Sequence, residues 1–141
     1  MSNTPIIATP ILTRLSDVIS RPVEWLWPGR IAIGKLALIA GDPGLGKSFV
    51  TLDIAARIST GTPWPDRRGE PIPAGDVILL SAEDDLEDTI RPRLDAASAD
   101  VSRITAIQGV NYYDPDFQRD TVKSFNLEVD LPALESAIGK A

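Results

Sequence analysis

Two uninterrupted apolar runs mark the chain, residues 36–40 and Val77–Leu80. A short run of apolar residues without polar interruption is typical of a strand buried on both faces, as in a parallel sheet. A third strand is predicted over residues 103–107, where Ile104 and Ile107 are the main apolar positions. Helical patterns lie between these runs, so the chain is predicted to be an α/β protein with a mainly parallel sheet flanked by helices.

A helical pattern begins at Lys47 and continues to about Ser59, with only a narrow polar stripe. Asp53 and Arg57 lie on that stripe four positions apart with the acid first, which is the favourable orientation. Gly61 is the predicted C-cap. We therefore expect a mostly enclosed helix that lies against the sheet.

A second helical pattern follows Asp85, which is a good N-cap residue. Pro92 falls inside this pattern, so the helix is predicted to kink or to restart near Arg91. Arg91 and Arg93 are interpreted as solvated helix arginines, with nucleotide sensing as the alternative.

The N-terminal part of the chain is predicted to be an arm over residues 1–24, with a short amphipathic helix in residues 12–19. The remainder, residues 25–141, is assigned to one domain. A short edge strand is predicted around Ile31 and Ile33, after a Pro-Gly turn.

The C-terminal part combines a long polar and aromatic segment with a final helix. Residues 109–126 are predicted to form a loop. Asp130 is the predicted N-cap of a helix that has Pro132 in its first turn.

The segment between the first apolar run and the first helix has the pattern Gly-x-x-x-x-Gly-Lys-Ser. Strand, glycine-rich loop and helix in this order are typical of a phosphate-binding loop, in which backbone N–H groups and the helix N-terminus face phosphate oxygens. Lys47 is predicted to contact the β- and γ-phosphates, and Ser48 to bind Mg²⁺. The predicted nucleotide-binding residues are Gly41, Asp42, Pro43, Gly44, Leu45, Gly46, Lys47, Ser48 and Phe49.

An acidic segment follows the second apolar run. Ligands of open α/β sheets lie at the carboxyl ends of strands, so Glu83 is expected on the same edge as the phosphate loop. A carboxylate there can activate the water that attacks the γ-phosphate, and Glu83 is therefore predicted to be catalytic together with Lys47. The alternative, an acidic cluster that only begins the next helix, suits Asp85, and for Asp84 the choice stays open.

Composition limits the remaining classes of function. The chain has no cysteine and no histidine, which excludes disulfides, thiolate metal sites and a histidine base. The net charge of −6 argues against an extensive nucleic-acid surface. No apolar run is long enough for a membrane span and no signal peptide is apparent, so we expect a cytoplasmic protein without a membrane partner.

A phosphate-loop ATPase also needs a second Mg²⁺-directed carboxylate, usually an Asp at the end of an apolar run. No Asp directly follows Val77–Leu80. Two explanations remain open: Glu83 and Asp84 serve in a shifted form, or the sequence ends before the strand that carries this Asp. The second is favoured, so we expect an N-terminal fragment of a longer protein.

Four segments together give the sequence a family resemblance. It resembles the RecA-like ATPases of the plasmid replicative helicase RepA type, a group also described as AAA family ATPases or primase-helicase components. The resemblance covers about residues 22–140, and the Ser-Ala-Glu-Asp-Asp segment is its most specific part. The segments are residues 28–34, 41–48, 80–85 and 89–94.

This resemblance implies a RecA-like core that binds ATP and Mg²⁺, assembles as a hexameric ring and couples hydrolysis to single-stranded DNA. It also implies that Glu83 matches the family's catalytic glutamate, Lys47 its phosphate-binding lysine and Ser48 its Mg²⁺ ligand. The leading hypothesis is thus part of a DNA-directed ATPase, such as a replicative or repair helicase. The alternatives are a non-catalytic module that assembles through ATP occupancy and, less favoured, a small-molecule kinase.

Overall fold

The computed structural model describes residues 10–81 and 84–139. Glu83, predicted to be catalytic, lies outside the described residues. The chain divides into two compact units, one ending at Leu38 and one beginning at Ile39. Within the described residues, no helix has both the length and the apolar character needed to cross a membrane.

The first unit contains little regular structure. A 3₁₀ turn spans Leu15–Asp17, and strands β1 (Trp25–Trp27) and β2 (Ile31–Ala32) pair in antiparallel fashion. The predicted edge strand at Ile31 is therefore confirmed. The predicted helix over residues 12–19 is wrong, because only that single turn forms. Its apolar side chains are exposed, so no burial is available to stabilise a longer helix.

The second unit alternates helices and strands, with helix α1 first and a π-helical turn before α2. In chain order its elements are α1 (Lys47–Thr60), β3 (Val77–Leu80), the π-helical turn (Leu86–Ile90), α2 (Arg91–Ala96), a 3₁₀ turn (Val101–Arg103), β4 (Ile104–Ile107), β5 (Val110–Asp114), β6 (Arg119–Lys123) and α3 (Leu131–Ile138).

Strands β3 and β4 form a parallel pair, with Val77 opposite Ile104 and Leu80 opposite Ile107. The apolar run Val77–Leu80 predicts β3, and the apolar positions Ile104 and Ile107 predict β4, so both strands are confirmed. Helix α1 packs against this pair and against α2, and together they form the core of the unit. Its buried members are Leu52, Ala55, Ile90 and Leu94.

The predicted buried strand over residues 36–40 does not form in the structure. Leu36 is 99% exposed and Leu38 is 88% exposed. A central strand of a parallel sheet is hydrogen-bonded to a strand on each side. Among the described residues, β3 and β4 pair only with each other, so neither is a partner strand for residues 36–40. Among the described residues the strands form three two-stranded sheets and only β3–β4 is parallel, so the predicted RecA-like core with a mainly parallel sheet is not seen there.

The prediction of a loop over residues 109–126 is also wrong, because this segment contains the antiparallel hairpin β5–β6. Side chains on β5 alternate between half-buried and exposed positions, which is the two-residue period of a strand. The Asp114 carboxylate accepts hydrogen bonds from the backbone N–H groups of Asp116 and Phe117, and this Asx-type turn reverses the chain.

The predicted helix ends are largely confirmed. Asp85 accepts hydrogen bonds from the N–H groups of Glu87 and Asp88, at 2.7 and 3.3 Å, and so caps the π-helical turn. Helix α2 restarts at Arg91, with Pro92 in its first turn. Gly61 ends α1 at φ +73°, where the left-handed conformation favours glycine.

Asp130 lies at the predicted N-cap position of α3, but its carboxylate does not cap that helix. It is buried and accepts hydrogen bonds from the Tyr112 hydroxyl and from the Asn126 N–H group. The hydrogen bond to Asp130 raises the pKa of Tyr112. The side chain therefore joins strand β5 to the segment before α3.

Two leucines with opposite burial test this fold. Leu94 is 4% exposed in the core, so Leu94→Ala is expected to lower the free energy of unfolding by about 2–5 kcal/mol. Leu36→Ala removes a side chain that is already in solvent, and its effect should stay within about 0.5 kcal/mol. Urea unfolding of both variants measures the difference. Equal losses would mean that residues 36–40 are buried in a sheet.

Candidate functional site

The loop over residues 41–48 turns through two glycines in the left-handed region. Gly44 and Gly46 both have φ +80°. A Cβ atom at either position would meet nothing within 4 Å. Glycine is therefore required by the backbone conformation itself, since other residues rarely adopt it.

Lys47 closes this loop from the first position of α1. Its Nζ donates hydrogen bonds to the carbonyl oxygens of Gly41 and Asp42, both at 2.9 Å. An ammonium group carries three N–H donors, so one remains for a further acceptor. The ammonium group therefore lies against the carbonyl oxygens at the start of the loop.

The N-terminus of α1 supplies further donors. The Gly46 carbonyl accepts the first helical hydrogen bond, from Val50 N–H at 3.1 Å. The N–H groups of the first helical turn have no partner within the helix, and the helix dipole favours an anion at this end. Ser48 is exposed in the same turn, with a hydroxyl of the type that can ligate Mg²⁺. The N–H groups suit phosphate oxygens, and the Ser48 hydroxyl oxygen suits the metal ion that accompanies the phosphate.

The acidic segment after β3 is anchored at Asp84. The Asp84 N–H donates to Ser81 Oγ at 3.2 Å, and the Ser81 hydroxyl donates to the Asp84 carbonyl at 3.3 Å. The Asp84 carboxylate pairs with Arg93 Nη1 at 3.3 Å. The position of Asp84 is thus set from both sides, immediately after Glu83 in the sequence.

Arg93 also reaches the phosphate loop's helix. Its guanidinium lies over the Phe49 ring, 4.6 Å from the ring centroid. The interpretation of Arg93 as a solvated helix arginine is therefore wrong. Arg91 fits that interpretation, since it is exposed and pairs with Asp95 on its own helix, at 2.9 Å.

Sequence reasoning overlooked one polar residue at the edge of the sheet. Gln108 follows β4, and Ser81 follows β3, so the parallel register places both at the same carboxyl edge. Both line a cavity of about 340 Å³. The sequence carries a signal for it, because Gln108 directly follows the strand predicted over residues 103–107.

A family model described as AAA domain matches residues 4–140. The chain belongs to this AAA domain family. No curated protein and no solved structure matches the chain. The family is one of P-loop ATPase-like domains, and membership supports nucleotide binding and ATP-dependent activity in general terms.

The loop conformation of this AAA domain can be tested with two glycine substitutions. Gly46→Ala forces a Cβ into the left-handed region and should lower the free energy of unfolding by about 1–2 kcal/mol. Gly41→Ala is the matched control in the same loop. Its φ is not left-handed and its Cβ would make an ordinary 3.7 Å contact with Leu45, so stability should change little. Denaturant unfolding compares them, and equal effects would contradict the loop geometry.

Proposed function

We propose that this chain binds Mg-ATP through residues 41–49 and that the full-length protein hydrolyses it. One observation carries the proposal. The Lys47 ammonium is held by two carbonyls of a loop that turns through two left-handed glycines and opens onto a helix N-terminus. Donors of this kind recognise phosphate groups.

The chain's own groups have distinct roles in this proposal. Lys47 neutralises charge on the β- and γ-phosphates, and the backbone N–H groups of the loop and of the first turn of α1 orient them. Ser48 supplies a hydroxyl ligand to Mg²⁺, which offsets the charge that develops on the phosphate oxygens. These groups act by placement and electrostatics rather than by covalent chemistry.

Glu83 is the proposed general base. It follows β3 by sequence, on the strand end where ligands of α/β sheets lie. A carboxylate in this position accepts a proton from the attacking water as the bond to the γ-phosphate forms. The anchoring of Asp84 on Ser81 and Arg93 supports the proposal, because it fixes the residue next to Glu83.

Coupling to single-stranded DNA, and assembly as a hexameric ring, are proposed on the family resemblance alone. The segment Ser-Ala-Glu-Asp-Asp carries that resemblance. The net charge of −6 indicates that DNA contacts would come from local basic groups or from other parts of the protein.

The test is steady-state ATP hydrolysis by the full-length protein, with and without single-stranded DNA. We expect DNA to stimulate turnover. Glu83→Gln should lower kcat by about 10²- to 10⁴-fold, the usual contribution of a general base, while Mg-ATP binding remains. Glu87→Gln is the matched control, because Glu87 is exposed in the nearby π-helical turn. Its kcat should not change.

Three results would overturn parts of this proposal. Unchanged turnover in Glu83→Gln would remove the assigned base. Turnover that DNA does not alter would remove the coupling. Mg-ATP binding without turnover in the wild-type protein would favour the alternative, a non-catalytic module that acts through ATP-dependent assembly.

A further inference from the structure

One side chain in the described residues joins the phosphate-loop helix to the acidic segment. The Arg93 guanidinium stacks on the Phe49 ring at 4.6 Å and pairs with the Asp84 carboxylate at 3.3 Å. Phe49 belongs to the first turn of α1, directly after Ser48. Asp84 directly follows Glu83. The Arg93 guanidinium thus contacts two residues on separate elements. Each of them directly follows a predicted functional residue in the sequence.

The burial of this contact differs from that of an ordinary surface ion pair. The side chains of Arg93 and Asp84 are 30% and 34% exposed. Partial withdrawal from water reduces screening of the pair. Arginine suits both contacts at once, because its flat guanidinium can stack on an aromatic face while its N–H groups face a carboxylate.

Arg91 provides an internal comparison. It lies two positions earlier on the same helix, and its pair with Asp95 is 59% and 53% exposed. That pair joins two residues of α2 that are four positions apart. Arg91 and Arg93 therefore share chemistry but differ in what they connect.

We propose that Arg93 is a positioning residue that couples nucleotide binding at residues 41–48 to the position of Asp84 in the acidic segment after β3. This inference rests on the proposed function. Phosphate contacts with the N–H groups of the first turn of α1 restrain that turn, and the Phe49 ring belongs to it. The guanidinium stacked on the ring holds the Asp84 carboxylate.

The test is hydrogen exchange of the full chain, measured by mass spectrometry with and without a non-hydrolysable Mg-ATP analogue. Binding of the analogue to each variant is measured separately by calorimetry. In the wild type, we expect the analogue to slow exchange in residues 41–50 and also in residues 81–88. The slowing at the second segment should be roughly 5- to 150-fold, the usual range for coupled sites.

Three variants separate coupling from stability. Arg93→Gln should still bind the analogue and protect residues 41–50, but lose the protection of residues 81–88. Arg93→Lys keeps the charge that faces Asp84 without the planar stack, so its protection should be intermediate. Arg91→Gln should behave as the wild type. Exchange without nucleotide shows whether Arg93→Gln has loosened the fold as a whole.

The outcomes distinguish this inference from the proposed function. If the wild type fails to bind the analogue, the proposed function fails and the coupling fails with it. If the wild type binds but residues 81–88 gain no protection, the coupling alone is overturned. Arg93→Gln with full protection of residues 81–88, or Arg91→Gln with an equal loss, would also overturn it.

Discussion

The burial of one face of α1 is the constraint on which the rest of the second unit depends. Leu52 and Ala55 pack against Ile90 and Leu94 to form its core, with β3 and β4 beside them. The C-terminal end of α1 is held as well, since the buried Ser59 hydroxyl accepts a hydrogen bond from Asp100 N–H at 3.0 Å. With its axis fixed in this way, the helix presents its N-terminus, and the loop before it, in a defined direction.

The chemistry of the candidate site is largely that of the backbone. Two left-handed glycines bend the loop, and a lysine that begins the helix ties back to the loop's first carbonyls. The helix dipole, the N–H groups of the first turn and the ammonium charge each favour an anion near this loop. The acidic segment after β3 is a separate element, and Arg93 joins the two through Phe49 and Asp84. In the proposed function, phosphate recognition and water activation belong to different parts of the chain. The Arg93 side chain contacts both parts.

The parts of this structure that depend on local sequence could be predicted, and those that depend on distant partners could not. Helix α1, its Gly61 cap, the Asp85 cap and strand β3 follow from short-range patterns. Residues 36–40 have the pattern of a buried strand, yet a strand needs paired neighbours, which no local pattern supplies. The β5–β6 hairpin was missed because its strands carry mostly polar side chains. Arg91 and Arg93 look alike in sequence, and only tertiary packing separates them.

Calorimetric titration of the full chain with Mg-ATP measures whether residues 41–48 bind phosphate. The matched variant is Lys47→Ala, which removes the ammonium group while α1 keeps a good helix-forming residue. If these residues bind phosphate, the wild type should bind Mg-ATP saturably. Lys47→Ala should bind it much more weakly or not at all. Absence of binding to the wild type, or equal affinity in Lys47→Ala, would contradict phosphate binding by residues 41–48.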